Sequence, residues 1–181
     1  MNVKGKFLVA NPNIKNSLFS RTVIYVFEHN QLGAQGLIIN KASDFSVTEV
    51  ASSCGYDYIN EEERVYVGGP VNRQSGFLIH SDEWYSTSTE QLGQRLALTS
   101  DVTMFEKMSM GNEPTRWKLT IGMCGWAPEQ LDWELEGLGR PHPSWVICEA
   151  SPELVYSREE NDKLWEQCLD TAGQQWVEQY F

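Results

Sequence analysis

The segment Thr22–Phe27 constrains the fold of this chain more than any other feature of its sequence. All of its residues, Thr-Val-Ile-Tyr-Val-Phe, are β-branched or aromatic, so an extended strand would be apolar on both faces. Such a strand is stable only when both faces are covered, and we expect it at the centre of a sheet. The rest of the chain must supply its neighbours and its cover.

Other short apolar runs lie close to this segment in sequence. We predict strands at Lys6–Ala10, Leu37–Asn40, Val65–Val67, Gly76–His80, Arg116–Met123 and Ser144–Cys148. Turn signals separate several neighbours, for example Gly33–Gly36 and the corner Gly68-Gly69-Pro70. Short connections of this kind favour antiparallel pairing, because a parallel crossover needs a dozen or more residues.

Helical segments are marked by capping signals. Ser46–Glu49 and Ser157–Glu160 both match the capping box, in which the serine and the third following residue each accept a backbone hydrogen bond. The second box precedes a helical period that we expect to end at Gly173.

Two further helices are predicted. Asp101 can cap a helix over Val102–Met110, and Pro128 suits the first turn of a helix with Leu131, Leu135 and Leu138 inward. Strands and helices do not alternate regularly, and no repeat or linker divides the chain. We therefore predict one α+β domain over residues 1–181, with a mainly antiparallel sheet and about four helices packed on it.

The charge of the chain disfavours contact with nucleic acids. The 181 residues carry 14 basic and 25 acidic side chains, a net charge of −11. Residues 127–181 alone hold 12 acids against three bases. This acidic third repels phosphate backbones, and direct nucleic-acid binding is not expected. The acids form either a solvated helical face or a docking face for a basic partner. The only basic stretch, with Lys4, Lys6, Lys15 and Arg21, is too sparse for a nucleic-acid footprint.

The apolar segments of the sequence indicate where the protein is located, and the spacing of its cysteines indicates whether it binds a metal. No apolar run reaches the roughly 18 residues of a membrane span, and the N-terminus lacks a signal-peptide core, so we expect a cytoplasmic protein. Cys54, Cys124, Cys148 and Cys168 form no C-x-x-C pair, which disfavours a metal site and predicts free thiols. A redox role for Cys124 or Cys54 stays open.

Familiar catalytic motifs are absent from the sequence. It contains no G-x-S-x-G elbow, no phosphate-binding P-loop, no G-x-G-x-x-G turn and no H-E-x-x-H. We therefore expect no cofactor and favour a function other than catalysis.

Polar residues at predicted strand ends are the first candidate site. His29, Asn40 and His80 each end a strand or follow one, and Arg21 adds a cation. If these ends meet, they line one cleft in which imidazoles could act as acid, base or switch. In the alternative interpretation, the histidines only satisfy turn carbonyls.

A second candidate site involves the glycine corner and a tryptophan. Gly68, Gly69 and Pro70 form either a corner without room for side chains or a bed of amides facing a ligand. Trp126 and Gln130, at the start of the Pro128 helix, could stack on and hydrogen-bond a small molecule. Alternatively, Trp126 fills the core.

Six collinear motifs carry a resemblance to a known family. They are Phe7–Pro12, Phe19–Tyr25, Glu28–Asn40, Val67–Val71 with Gly76–His80, Leu96–Ser100, and Gly122–Leu135. With these motifs the chain resembles the YqgE/AlgH family of bacterial proteins along nearly its whole length. It departs from the family pattern at Met123-Cys124, at Ala127 and Glu129, which replace glycines, and in a longer loop at Leu138–Pro143.

The resemblance implies an α+β fold with a strongly curved, barrel-like sheet and helices around it. It implies no reaction, but the family's label as a transcriptional regulator suggests a regulatory role. Our interpretation is a regulatory protein that acts indirectly, through a protein partner or a small ligand. The alternative is a small-molecule-binding protein or enzyme that uses Arg21, His29, Asn40 and His80.

Overall fold

The computed structural model describes residues 1–60, 62–159 and 161–180, with the backbone only for 175–180. In chain order, the elements are β1 (Lys6–Ala10), β2 (Val23–Asn30), β3 (Gly33–Ile38), β4 (Ala42–Ser46), α1 (Val47–Ser53), β5 (Arg64–Val67), β6 (Val71–Ser81), β7 (Glu90–Gly93), β8 (Leu96–Thr99), α2 (Thr103–Ser109), β9 (Trp117–Trp126), α3 (Gln130–Glu136), β10 (Trp145–Glu149), α4 (Pro152–Val155) and α5 (Asn161–Tyr180).

The strands form one curled, half-barrel sheet. Its main path is β10-β1-β2-β3-β9-β6-β8-β7, and β5 joins β4 to β9 beside that path. Every pair along the path is antiparallel, whereas β5 runs parallel to β9. The α+β class and the curved, mainly antiparallel sheet are therefore confirmed, with five helices in the described part of the chain instead of about four.

Strand β2 lies inside the sheet, as its composition predicted. Tyr25 pairs with Phe7 of β1 on one side and with Leu37 of β3 on the other. All residues from Val23 to Phe27 are buried. The apolar character of both faces is thus explained by cover on both sides of the sheet.

The hairpin after β2 turns earlier than expected. Its turn lies at Gln31–Leu32, and Gly33–Ile38 is already strand, so the predicted turn at Gly33–Gly36 is wrong. Gly36 is needed for close packing, since a Cβ there would lie 2.9 Å from the carbonyl oxygen of Tyr25.

The capping signals were correct at one helix and misleading at others. Ser46 caps α1, with Glu49 completing the capping box. At α2, Asp101 makes no N-cap bond and instead accepts hydrogen bonds from Ser86, Ser88 and Thr103.

Helix α5 differs from its prediction at both ends. It begins at Asn161, so Ser157 is not its N-cap, and Glu160 of the predicted box lies outside the described residues. The helix continues through Gly173 to Tyr180. Gly173 does not have the positive φ that ends many helices at a glycine, and no atom lies within 4 Å of where its Cβ would be. The helix after Pro128 begins at Gln130, and its predicted inward residue Leu138 lies beyond the helix and is exposed.

Two apolar clusters cover the sheet. The larger contains β1, β2 and β3 with Leu131 of α3 and Leu164 of α5. The smaller joins α1 and α2 to residues of β6 and β9, among them Met104 and Leu119. No helix in the described ranges is long and apolar enough to cross a membrane.

Candidate functional site

The strand-end residues His29 and His80 do not meet. His29 pairs with Ala34, which pairs with Trp126 at the end of β9, whereas His80 pairs with Trp117 at its start. Nine residues of β9 separate these positions, about 30 Å in an extended strand. The single cleft expected from Arg21, His29, Asn40 and His80 is therefore not formed, because strand order places their ends apart.

His80 is a buried structural residue. Its Nδ1 is 2.9 Å from the carbonyl oxygen of Ser81, which can only accept, so Nδ1 donates and Nε2 accepts from Thr99 Oγ1 at 2.9 Å. Burial lowers the pKa of this imidazole. The ring also packs edge-on against Trp84, at 5.0 Å between centroids. It has the neutral form and the fixed tautomer of a core histidine.

His29 lies at the opposite end of the molecule, beside the chain N-terminus. Its Nδ1 accepts from Val3 N at 3.1 Å, and its Nε2 lies 3.9 Å from Asp132 Oδ2. Asp132 also contacts the α-amino group of Met1, at 3.3 Å. The imidazole therefore fastens the N-terminal segment to β2.

Asn40 and Arg21 belong to one structural junction. Asn40 is buried; its Oδ1 accepts from Val23 N at 2.8 Å, and its Nδ2 donates to the carbonyl oxygens of Arg21 (2.9 Å) and Asn161 (2.8 Å). Arg21 points outward to Asp162, at 2.6 Å, and lies over the Trp165 ring. Together they join the start of β2 to the start of α5.

The glycine corner packs backbone against backbone. A Cβ on Gly68 would collide with the carbonyl oxygen of Gly122, and one on Gly69 would collide with the backbone of Met123. Gly68 N donates to Ile121 O at 2.8 Å, and Gly68 O accepts from Ile38 N at 2.8 Å. The backbone N–H and C=O of Gly68 are thus used within the sheet, which supports the structural interpretation of the corner.

Pro70, Trp126 and Gln130, in contrast, line one open cleft of about 620 Å³. The cleft lies between the loop after β1, the end of β9, α3 and the start of β10. Its lining comprises Asn13, Ile14, Lys15, Ser17, Phe19, Pro70, Cys124, Gly125, Trp126, Gln130, Glu134, Arg140, Ser144 and Trp145. A volume of this size is typical of small-molecule sites.

Glu134 organises the cleft, and the sequence analysis assigned it no role. One carboxylate oxygen accepts from the indole nitrogens of Trp126 (3.0 Å) and Trp145 (2.7 Å). The other accepts from Gln130 Nε2 at 3.0 Å. The spacing of Gln130 and Glu134, one helical turn apart, was the available signal. Trp145 comes from a distant part of the chain and could not be paired with them from sequence.

The turn into α3 shapes one side of the cleft. Glu129 has φ of +65°, a left-handed conformation that glycine adopts with least strain. This conformation gives a physical reason for the glycine that the resemblance implies at this position. Gln130 follows at once, and its Oε1 accepts from Ala127 N at 3.0 Å, which closes the turn.

Two further groups are buried: Lys118, which does not line the cleft and was not singled out from the sequence, and Cys124, which does line it. Lys118 is buried, and its amine donates to the carbonyl oxygens of Ile39 (2.8 Å) and Ser157 (2.7 Å). Burial, together with the charge of Arg158, lowers its pKa to about 7. Burial raises the pKa of Cys124 to about 12, so its thiol lacks the thiolate character of a redox centre.

The described ranges contain no group of three or more histidine, cysteine, aspartate or glutamate side chains placed to hold a metal ion. The cleft is lined by two indoles, an amide, a carboxylate and two exposed cations, Lys15 and Arg140.

Comparisons with known proteins agree with this fold. A family model described as AlgH-like matches residues 7–177. A UPF0301 protein of Methylococcus capsulatus is 36% identical over 171 residues, which cover 93% of this chain and 91% of that protein. A UPF0301 protein of a Chelativorans species is 31% identical over 180 residues, with 94% and 86% covered.

Two solved structures share the architecture. The solution structure of AlgH from Pseudomonas aeruginosa has a TM-score of 0.78 and 29% identity, covering 94% of this chain and 89% of that one. A crystal structure from Corynebacterium diphtheriae has a TM-score of 0.73 with 92% and 85% covered, and its 23% identity supports the fold alone. By sequence and fold, the chain belongs to the AlgH-like family.

Proposed function

We propose that this protein is a small-molecule-binding regulator that responds to a ligand in the cleft beside Trp126 and acts on protein partners without contacting DNA. One observation carries the proposal: Glu134 holds two indole rings and an amide in place around an open cavity. A ligand can therefore enter without first ordering these walls, which lowers the entropic cost of binding.

The composition of the cleft supports binding over catalysis. Both oxygens of its carboxylate, Glu134, already accept hydrogen bonds from fixed donors. Neither His29 nor His80 lines it. Aromatic walls with a few convergent polar groups are typical of ligand sites.

The surface charge supports action through proteins. Counterion release requires clustered cations, and the net charge of −11 opposes it. Of the basic N-terminal stretch, Lys4, Lys6 and Arg21 form ion pairs with Glu28, Glu149 and Asp162. These paired cations do not form a patch for a phosphate backbone.

A thermal-shift screen with anionic, neutral and cationic metabolites, and with duplex DNA, tests the proposal. A ligand at about 100 times its Kd adds roughly 2.7 kcal/mol, which raises Tm by about 5–10 °C for a domain of this size. We expect the shift to vanish in Phe19→Ala, which removes one aromatic wall of the cleft.

The matched control is Tyr85→Ala, which removes an exposed aromatic side chain outside the cleft and should retain the full shift. Each variant is first melted without ligand, so that lost stability is not mistaken for lost binding. A panel without any shift, a shift that Phe19→Ala retains, or a salt-dependent shift with duplex DNA would contradict the proposal.

A further inference from the structure

The cleft carries a local charge opposite to that of the whole chain. Its lining contains two cations, Lys15 and Arg140, and one carboxylate, Glu134. The complete sequence has 25 acidic against 14 basic side chains. A cationic concavity on an acidic protein attracts anions to that place and repels them elsewhere.

Lys15 differs from the other cations near the N-terminus. Lys4, Lys6 and Arg21 are each ion-paired with a carboxylate. Lys15 forms no ion pair with any described residue, although it lies within the same stretch of the chain. Its exposed side chain lines the cleft, and no described carboxylate pairs with its charge.

Arg140 is held by the wall of the cleft, and it forms no ion pair with an acid in the described part of the chain. Its Nη1 donates to Ser144 Oγ at 2.9 Å, and Ser144 N donates to the carbonyl oxygen of Glu134 at 2.8 Å. Ser144 is buried, so this contact orients the guanidinium at the rim. Guanidinium has five N–H donors in a planar fork, which suits a carboxylate or a phosphate.

Glu134 is poorly suited to receive a cationic ligand. Its two oxygens already accept from Trp126, Trp145 and Gln130. A ligand cation would compete with these donors and would also face two cations at the rim. The carboxylate thus acts as a fixed support for the indoles, and the rim decides the charge of the ligand.

The walls of the cleft are aromatic, although Trp126 and Trp145 are only 7% and 5% exposed. Phe19 and Trp126 each lie edge-to-face against Trp145, with centroids 5.7 Å and 6.2 Å apart. Flat aromatic surfaces gain most from a ring packed in offset or edge geometry. The volume of about 620 Å³ accommodates an aromatic ring together with an attached acidic group.

We infer that the ligand of this cleft is a planar aromatic anion, with its ring against Phe19, Trp126 and Trp145 and its carboxylate or phosphate between Lys15 and Arg140. The inference rests on the proposed function, since it names the ligand class of the same site. It adds a charge requirement that the proposed function alone does not contain.

Paired probes that present the same ring system with and without an anionic group test the inference by titration calorimetry. The carboxylate pair is 1-naphthoate and 1-naphthamide, and the phosphate pair is adenosine monophosphate and adenosine. In at least one pair, we expect the anion to bind at least tenfold more tightly than its neutral twin. Which pair discriminates decides between carboxylate and phosphate.

Charge variants locate the effect. At low salt, Lys15→Gln and Arg140→Gln should each weaken the binding of the anion about fivefold or more. Each should change the affinity for the neutral twin less than twofold. Lys4→Gln removes another exposed cation, one that is already paired with Glu28, so it should leave the affinities for the anion and for its neutral twin unchanged. High salt should reduce the preference for the anion.

The two proposals fail differently. If the neutral and anionic twins bind equally well and Phe19→Ala abolishes the binding of both, the charge requirement is wrong, but the proposed ligand cleft is still supported. If none of the four probes binds at millimolar concentration, the inference is overturned, while hits from the wider screen that depend on Phe19 would still support the proposed function.

Discussion

Replacing Asn40 with alanine should destabilise the fold strongly, even though the side chain is polar and does not line the proposed ligand cleft. Three hydrogen bonds are lost, from Val23 N and to the carbonyl oxygens of Arg21 and Asn161. Asn40 is buried, so water does not readily replace them. At about 1 kcal/mol for each bond, the expected loss is about 3 kcal/mol.

Urea denaturation and thermal melting measure this loss. For a domain of this size, about 3 kcal/mol lowers Tm by about 6–12 °C. Asn13→Ala is the matched control, because that exposed side chain makes no hydrogen bond with the described residues, and it should change stability by less than about 0.5 kcal/mol.

The variant Asn40→Asp distinguishes the contribution of the side-chain acceptor from that of the side-chain donor. A carboxylate retains the bond from Val23 N but opposes the carbonyl oxygens of Arg21 and Asn161. We expect a similar loss at pH 7 and a partial recovery in acid, where the protonated carboxyl can donate. A loss below about 1 kcal/mol for Asn40→Ala, or wild-type stability for Asn40→Asp at pH 7, would refute this reasoning.

Three further predictions concern other parts of the structure. Because the pKa of Lys118 is lowered to about 7 in the fold, the unfolded chain binds a proton that the native state lacks above that pH. Between pH 7 and 9, the free energy of unfolding of the wild type, measured by urea denaturation, should therefore rise relative to that of Lys118→Met. If the two proteins show the same dependence of this free energy on pH, the prediction is contradicted. A thiol reagent should label one cysteine, Cys54, promptly in the native protein and the three buried ones only after unfolding, and rapid labelling of a second thiol would argue against their burial. Glu129→Gly should stabilise the fold by about 0.5–1 kcal/mol, because glycine adopts the left-handed backbone conformation at this position without strain. Glu166→Gly, inside α5, should destabilise the fold by a similar amount. If both variants change Tm in the same direction, backbone strain is not the cause.

Local patterns were sufficient where one segment decides its own structure. The Ser46 capping box works through contacts within one turn, and it was predicted correctly. Strands β4, β7 and β8 were not predicted. Ala42–Ser46 and Glu90–Gly93 have little apolar alternation and exist mainly through their partners, and the buried segment Leu96–Thr99 is only four residues long. Gly173 was a misleading stop signal, since a glycine ends a helix only where the chain adopts the left-handed conformation.

Only some residues of the candidate site could be predicted from the sequence. Pro70, Trp126 and Gln130 were named from their neighbours along the chain, and they do line one cleft. Lys15 and Arg140, which set its charge, are 125 positions apart in sequence, and no periodicity connects them.

By itself, the sequence determined the class of the fold and the family, because apolar periodicity, turn residues and collinear motifs are properties of consecutive residues. It also determined that β2 would be central, since an apolar segment must be covered on both faces. Only the tertiary structure decided that His29 and His80 are separated and that Glu134 supports two indoles. The physical reason is that strand order determines which strand ends become neighbours, and strand order depends on contacts between distant segments.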